Sequence, residues 1–296
     1  MIKNILAIGF LFCNIIVIAQ PYTWNQLSFE VSPSPLDLRV GRFGDIQIWR
    51  DGNSDGQLYH PQGNVNGACN NCWIMYNGVF MLIDDHLIVS FNNALFGFDD
   101  YWRGGVSGVT GTGTNLDPWK ITANYTANSN SNIKLDMNYL YEDGKEYIDV
   151  EMTPTLPLLN TGIVKVFHIM DTYLSSSDDG PAFTSGLPPY DIVGVSAPDG
   201  SIFEAFVRTG IPWDRYCSHD YSDALNEPFE DGQLSNTLDT SLDTDNAIGV
   251  QWTLGVVTLV QPTITYRIGF TDEIENIIES CKKVLINRHI GRQIKN

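Results

Sequence analysis

The feature that most constrains this chain is strict two-residue alternation interrupted by turn residues. Ile133, Leu135, Met137, Tyr139 and Tyr141 alternate with Lys134, Asp136, Asn138 and Leu140. Residues 142–145 read Glu-Asp-Gly-Lys, and Ile148, Val150 and Met152 then alternate with Asp149 and Glu151. Successive side chains of a strand point to opposite faces, so this stretch is a half-buried β-hairpin with an Asp-Gly turn. The pattern recurs in residues 73–83, where Asn77-Gly78 is a hairpin signal, and again across Asp84-Asp85-His86 into residues 87–91. It returns at 192–207 around Pro198-Asp199-Gly200, and closes with Ile264, Tyr266, Ile268 and Phe270 on one face. No long stretch between Trp24 and Phe270 has helical spacing. The expectation is an all-β fold: a large antiparallel two-sheet sandwich, jelly-roll or supersandwich-like, with about twelve strands or more.

The ends of the chain differ in kind. After Phe270, Asp272 can cap a helix with Glu275 three residues on. Ile274, Ile277, Ile278, Cys281, Val284 and Leu285 then share a face, with Glu279 and Lys283 paired four apart on the other. This predicts a C-terminal amphipathic helix whose apolar face packs on the β domain. At the start, Lys3, an apolar run from Ile5 to Ile18 and a small-residue end at Ala19 form the pattern of a secretory signal peptide. The run is shorter than the roughly 20 residues of a membrane-spanning helix, and no comparable run follows. Phe12 occupies the place before Cys13 where lipidation wants a small residue. The reading is therefore a signal peptide at 1–20, a β domain at 21–270 and a helical tail at 271–296. The mature chain is expected to be secreted or displayed at the cell surface, without a transmembrane segment.

Charge and cysteines narrow the partners. The chain has 17 Lys and Arg against 35 Asp and Glu, a formal net charge of −18. Such a body repels phosphate backbones and anionic lipid, so nucleic acid is not an expected partner, whereas calcium and neutral glycans are compatible ones. An exported chain uses cysteines for disulfides. Cys69 and Cys72, in Cys-Asn-Asn-Cys, are read as a structural bond, because the sequence runs on into β pattern rather than into the strand-to-helix turn of a redox motif. Cys217 and Cys281 are left over as a pair by arithmetic alone.

Asp51, Asn53 and Asp55 stand at alternate positions before Gly56, with the carbonyl of Gln57 following, as in the first half of a calcium loop. Gln62 stands where an EF-hand places its bidentate carboxylate, so a calcium ion here would borrow one from Asp45, Asp84, Asp85, Asp99 or Asp100. The same residue types also make an ordinary acidic turn. Two further acidic clusters, Asp178 with Asp179 and Asp239 with Asp243 and Asp245, lie in loop-like sequence. No HExxH, GxSxG or GxxxxGK[ST] motif is present. His168 alternates with Val164, Val166 and Met170, which reads as a core histidine. Carboxylates for glycoside cleavage would have to come from distant strands, with Glu204, Glu151, Asp171 and Asp149 as candidates. Aromatic and charged residues adjoin at Tyr101-Trp102-Arg103, after Asp99 and Asp100, and at Trp213-Asp214-Arg215, before Tyr216. Sugar rings stack on aromatic faces while acids and arginines take their hydroxyls, so these are candidate glycan-binding residues. The other reading is that both tryptophans are core plugs.

Residues 171–183 and 243–252, in their acidic and loop-rich setting, resemble β-sandwich domains of large exported bacterial surface proteins. The resemblance implies surface display and adhesion and carries no catalytic residues. By analogy of fold alone, a sandwich of this size is also similar to mutarotase-like supersandwiches and polysaccharide-processing enzymes. The first expectation is a non-enzymatic module binding glycan or another surface component, stabilised by calcium. The alternatives are a carbohydrate-active enzyme and a structural domain of a surface assembly.

Overall fold

The computed structural model describes residues 77–90, 100–174, 177–258 and 261–278, and before them the strand segments 22–23, 29–31, 36–40, 46–50, 53–59 and 68–69. Strand β1 (Tyr22–Thr23) pairs with β6 (Ala68–Cys69). Strands β2 (Phe29–Val31), β3 (Leu36–Val40), β4 (Ile46–Arg50) and β5 (Asn53–Tyr59) form a four-stranded sheet in that order. The remaining strands are β7 (Asn77–Ile83), β8 (His86–Val89), β9 (Asp100–Val106), β10 (Trp119–Ala127), β11 (Lys134–Tyr141), β12 (Tyr147–Thr155), β13 (Ile163–Asp171), β14 (Ala182–Ser185), β15 (Ile192–Ser196), β16 (Phe203–Arg208), β17 (Arg215–Asp220), β18 (Asn246–Val256) and β19 (Ile264–Thr271). They make one 13-stranded sheet in the order β14-β15-β16-β19-β12-β11-β10-β9-β8-β7-β13-β18-β17.

The all-β architecture agrees with the alternation. A division into two large sheets is not found among the described residues, because β9 pairs antiparallel with β10 and parallel with β8, at Ile88↔Asp100 and Val89↔Tyr101. That joint makes the hydrogen bonding continuous. β15 and β16 come against β18, and β15 also against β17, so the sheet curls into a nearly barrel-shaped form.

The hairpins explain the curl's interior. Leu135, Met137, Tyr139 and Tyr141 on β11 and Ile148, Val150 and Met152 on β12 are all buried, with Gly144 at φ +79° in their turn. Leu36, Leu38, Val40, Ile46 and Ile48 of the smaller sheet join the same core, and the Tyr141 hydroxyl accepts the Leu36 N–H at 3.2 Å. An aromatic column runs through it: Trp213 and Trp252 at 6.3 Å between centroids, Trp252 and Tyr266 at 5.2 Å, and Tyr266 and Phe206 at 5.8 Å. His168 belongs to this column as its alternation indicates, fully buried and 2.6 Å from the Tyr266 hydroxyl. Burial holds its imidazole neutral by pushing its pKa down to about 3.

Two local expectations need correction. Asn77-Gly78 is not a turn but the start of β7, paired with Met170 and Ile169. Glycine is required there by a close approach, since a Cβ would lie 1.9 Å from the Ser90 hydroxyl oxygen. Residues 221–230, read as non-helical, form helix α1 (Tyr221–Glu230). The Asp220 carboxylate caps it by accepting the Ser222 and Asp223 amides, and its buried Ala224 and Leu225 cover Phe80, Phe167 and Ile169 on the outside of the sheet. In the tail, residues 274–278 are helical, and Ile277 packs on Ile192, Ala205 and Val207. Thr271 Oγ1 accepts the Glu273 amide at the entry. The rest of the expected tail, Cys281 included, lies outside the described residues. Among the described residues no helix is long and apolar enough to cross a membrane.

Candidate functional site

Strand register gathers carboxylates at one end of the curl. β13, β18 and β17 are neighbours, with Asp171 opposite Ala247 and Asn246 opposite Asp220. The C-terminal ends of β13 and β17 therefore meet the N-terminal end of β18, which brings Asp171, Asp220 and Asp245 to the same edge. The segment after β13 is laced onto this edge: Gly180 N donates to Thr244 O at 3.0 Å, Asn246 N to Asp178 O at 3.1 Å, and the Asn246 side chain to Gly180 O at 2.9 Å. Asp178 and Asp179 thus stand beside Asp245. Glu204 enters from β16, across the curl from β18.

The electrostatics of this group are unusual. Glu204 is 0% exposed and Asp171 5%. Both carboxylate oxygens of Glu204, Oδ1 of Asp171 and Oδ1 of Asp178 are buried without a hydrogen-bond partner. An isolated buried anion is costly, so such groups take up a proton instead. Burial, and then the charge of Asp171, hold Glu204 well above the usual carboxylate range. Burial, then Asp245 and Asp178, do the same to Asp171. Asp178 is raised by burial and by Asp179. Half-buried Asp245 is pushed up to about 6 by burial and by Asp178, Asp220 and Asp179. Asp220 is held low, chiefly by the Ser222 hydroxyl that donates to it at 2.6 Å. One edge therefore carries carboxyls whose proton affinity is raised, Glu204, Asp171 and Asp178, a half-buried one pushed to about 6, Asp245, and one held low, Asp220. Carboxyl groups whose environments drive their proton affinities apart are the material of general acid–base chemistry.

The other candidates are placed as follows. Asp149 forms a two-pronged pair with Arg267, at 2.8 and 3.0 Å, and Glu151 accepts from Asn138, so neither joins Asp171 and Glu204. Trp102 is buried and its indole donates to Val79 O at 2.9 Å; Trp213 is buried as well. Neither indole presents a stacking face. Tyr101 is half-buried under the exposed Arg103 guanidinium, 6.0 Å from its ring centre. Asp214 accepts from the amide and hydroxyl of Thr253, and Arg215 donates to Leu234 O, so both tie loops to strands. Of the calcium loop, Asp51 lies outside the described residues. Asn53, Asp55 and Gln57 fall on β5, which pairs irregularly with β4. Cys69 lies on β6, and Cys72 is outside the described residues.

A histidine pocket lies toward the other end of β13. A cleft of about 460 Å³ is lined by Leu82, His86, Leu87, Lys165 and Phe229 among others. His86 Nε2 is 2.8 Å from Asp100 Oδ2, and Ser129 Oγ donates to that same oxygen. Ser129 Oγ also lies 3.3 Å from His86 Nε2, but its shorter bond is to the carboxylate, whereas a nucleophilic serine needs its proton directed at the base. Asp100 also accepts the Tyr101 and Ser129 amides, so the group clamps the β8–β9 joint. Sequence reading named Asp171, Glu204, Asp178 and Asp245 separately but missed Asp220 and the convergence. A signal for Asp220 existed in its position two before Ser222, a helix-capping pattern.

No protein-family model matches the chain, and no curated protein matches it in sequence. In structure it is similar to a bacterial glucoamylase complexed with acarbose, with a TM-score of 0.57 at 9% identity, over 85% of this chain and 32% of the glucoamylase. It also aligns with a provisionally named kojibiose phosphorylase from the human microbiome (TM-score 0.45, 11% identity, 90% of this chain and 34% of that one). A third match is a provisionally named aldose 1-epimerase from Escherichia coli K12 (TM-score 0.46, 11% identity, 83% of this chain and 99% of that one). This chain spans about a third of the length of the first two. The first match shows a fold shared with part of that glucoamylase.

Proposed function

We propose that this protein is a carbohydrate-active enzyme performing acid–base chemistry at the anomeric centre of a sugar, at the edge formed by Asp245, Asp178, Asp171 and Glu204. The observation that carries the reading is the graded set of carboxyls. Asp245 is the group with both access and a proton affinity near neutrality, so it is assigned the acid that protonates the acetal or hemiacetal oxygen. Asp178, beside it, is assigned the second carboxyl. Asp171 and Glu204 act behind them, as neutral groups that keep the edge poorly solvated. The fold shared with a glucoamylase supports sugar as the substrate class, and export through residues 1–20 belongs to the same proposal.

The test is a panel of oligosaccharides and freshly dissolved single anomers, read for released reducing sugar and for anomer exchange by polarimetry. Turnover by the wild-type chain, reduced about a hundredfold or more in Asp245→Asn at unchanged melting temperature, is the expected result. Turnover equal in the variant would remove Asp245 from the chemistry. Saturable binding without turnover would return the protein to a glycan-binding module.

A further inference from the structure

On the opposite face of β17 from Tyr216 and Ser218, three metal-ligating side chains meet. Cys217 and His219 are two residues apart on one strand and so share a face. Helix α1 lies on that face and contributes Glu227. One ligand atom from each lies within 4.8 Å of the other two, and the three residues are buried, at 0%, 9% and 8% exposure. His219 Nε2 is 3.1 Å from Glu227 Oε1, while the Ser235 amide donates to Glu227 Oε2 at 3.0 Å and orients the carboxylate. Cys217 is in no disulfide, and its thiol is hydrogen-bonded to Glu227. These contacts alone account for the acid and the imidazole, but a second feature concerns the sulfur. Its register partner on β18 is Gly249, where a Cβ would lie 2.8 Å from Cys217 Sγ. Only a glycine at that place on the neighbouring strand lets the sulfur, packed there with Ile169 and Leu234, sit where it meets His219 and Glu227.

We propose that Cys217, His219 and Glu227 bind one zinc ion. Thiolate, imidazole and carboxylate are the ligand types zinc takes, and three protein ligands leave one tetrahedral position for water. The charges balance: Zn²⁺ with one thiolate and one carboxylate is neutral, which suits a buried place. On binding, the Cys217 thiol loses its proton to solvent. Neutral His219 keeps a proton on Nδ1 and turns the Nε2 lone pair, with Glu227 Oε1, to the metal. Ser235 continues to hold Oε2, as outer partners of metal ligands do. This site is independent of the sugar chemistry proposed above.

The experiment uses the full chain, purified with its thiols reduced, and reads zinc content after dialysis together with the thiolate-to-metal charge-transfer band of the cobalt-substituted protein. One zinc per chain and a cobalt–thiolate band are expected. Both should be lost in Cys217→Ala and kept in the Cys69→Ser/Cys72→Ser variant, which removes the other cysteine pair able to bind metal. Glu227→Gln retains the thiolate and should keep the band while weakening zinc about tenfold or more. That variant keeps the test informative if Cys217→Ala does not fold. No zinc in the wild type, a band that depends on Cys69 and Cys72, or zinc affinity unchanged in Glu227→Gln would each overturn the assignment.

Discussion

Glu204→Gln tests the protonated interior directly. Glutamine has nearly the same shape and is neutral at every pH, so the variant differs from the wild type chiefly in being unable to ionise. A carboxyl whose affinity is raised on folding gives stability that is fully present below its unfolded value, about 4.3, and is lost as pH rises toward the folded value. The loss is about 1.36 kcal/mol per pH unit for one group that stays protonated in the fold. Glu204 is fully buried and raised well above its ordinary range, first by burial and then by Asp171. From pH 5 to pH 7 the wild type should therefore lose stability relative to Glu204→Gln, by at most about 2.7 kcal/mol, the limit for a group that keeps its proton in the fold throughout, or about a hundredfold in the ratio of their unfolding constants. His168 and the charges remote from this edge act in both proteins and cancel in the difference, whereas Asp171 is coupled to Glu204 and is part of the effect. The assay is urea unfolding of both chains at pH 5, 6 and 7. Parallel stability curves would refute the reasoning. So would a wild type that gains on the variant as pH rises, because that sign belongs to an ionised Glu204 held by a positive partner.

The histidine works with the opposite sign. His168, at about 3, gives stability that is present above its unfolded value of about 6.5 and is lost as pH falls toward 3, up to about 5 kcal/mol. His168→Gln should flatten that acid limb in the same titration, and an unchanged limb would assign it to other groups. Asp100→Asn weakens the charge-assisted bonds from His86 and Ser129 and should cost about 1.5–3 kcal/mol, seen as faster amide exchange at β8 and β9; unchanged exchange there would deny the clamp. Gly78→Ala places a Cβ against Ser90 and should cost about 1–3 kcal/mol in urea, largely restored in Gly78→Ala/Ser90→Gly.

What was legible in the sequence was whatever a strand decides by itself. The alternation at 133–152 set the buried and exposed faces of β11 and β12, and the turns at Asp143-Gly144 and Asp199-Gly200 set two hairpins, because period and turn residues are local properties. The reading failed where a distant contact decides. Asn77-Gly78 has the letters of a turn, but Ser90 and β13 make it a strand. Trp102 and Trp213 have the neighbours of a sugar platform, and the closing sheet buries both indoles in its core. Helix α1 is short and carries Pro228, so its capping Asp220 and four buried positions, only Ala224 and Leu225 of them aliphatic, were too faint a period to outweigh the surrounding strand pattern.

The carboxyl edge belongs to the same class of non-local fact, and it explains why acids of one type end up so differently protonated. Asp171, Asp220 and Asp245 meet because β13, β18 and β17 are antiparallel neighbours in a fixed register, which a one-residue slip would destroy by turning each side chain to the other face. Glu204 joins them only when the curl brings β16 onto β18, a contact between residues far apart in the chain. Closure therefore excludes water from Glu204 and Asp171 and leaves Asp245 half open. Part of the stability gained by burying the apolar strands of this sheet is offset at that edge by buried carboxylate oxygens without hydrogen-bond partners. A fold under no functional demand loses nothing by placing Leu or Gln there. Their presence beside an accessible carboxyl of intermediate affinity is the physical argument for chemistry at this edge.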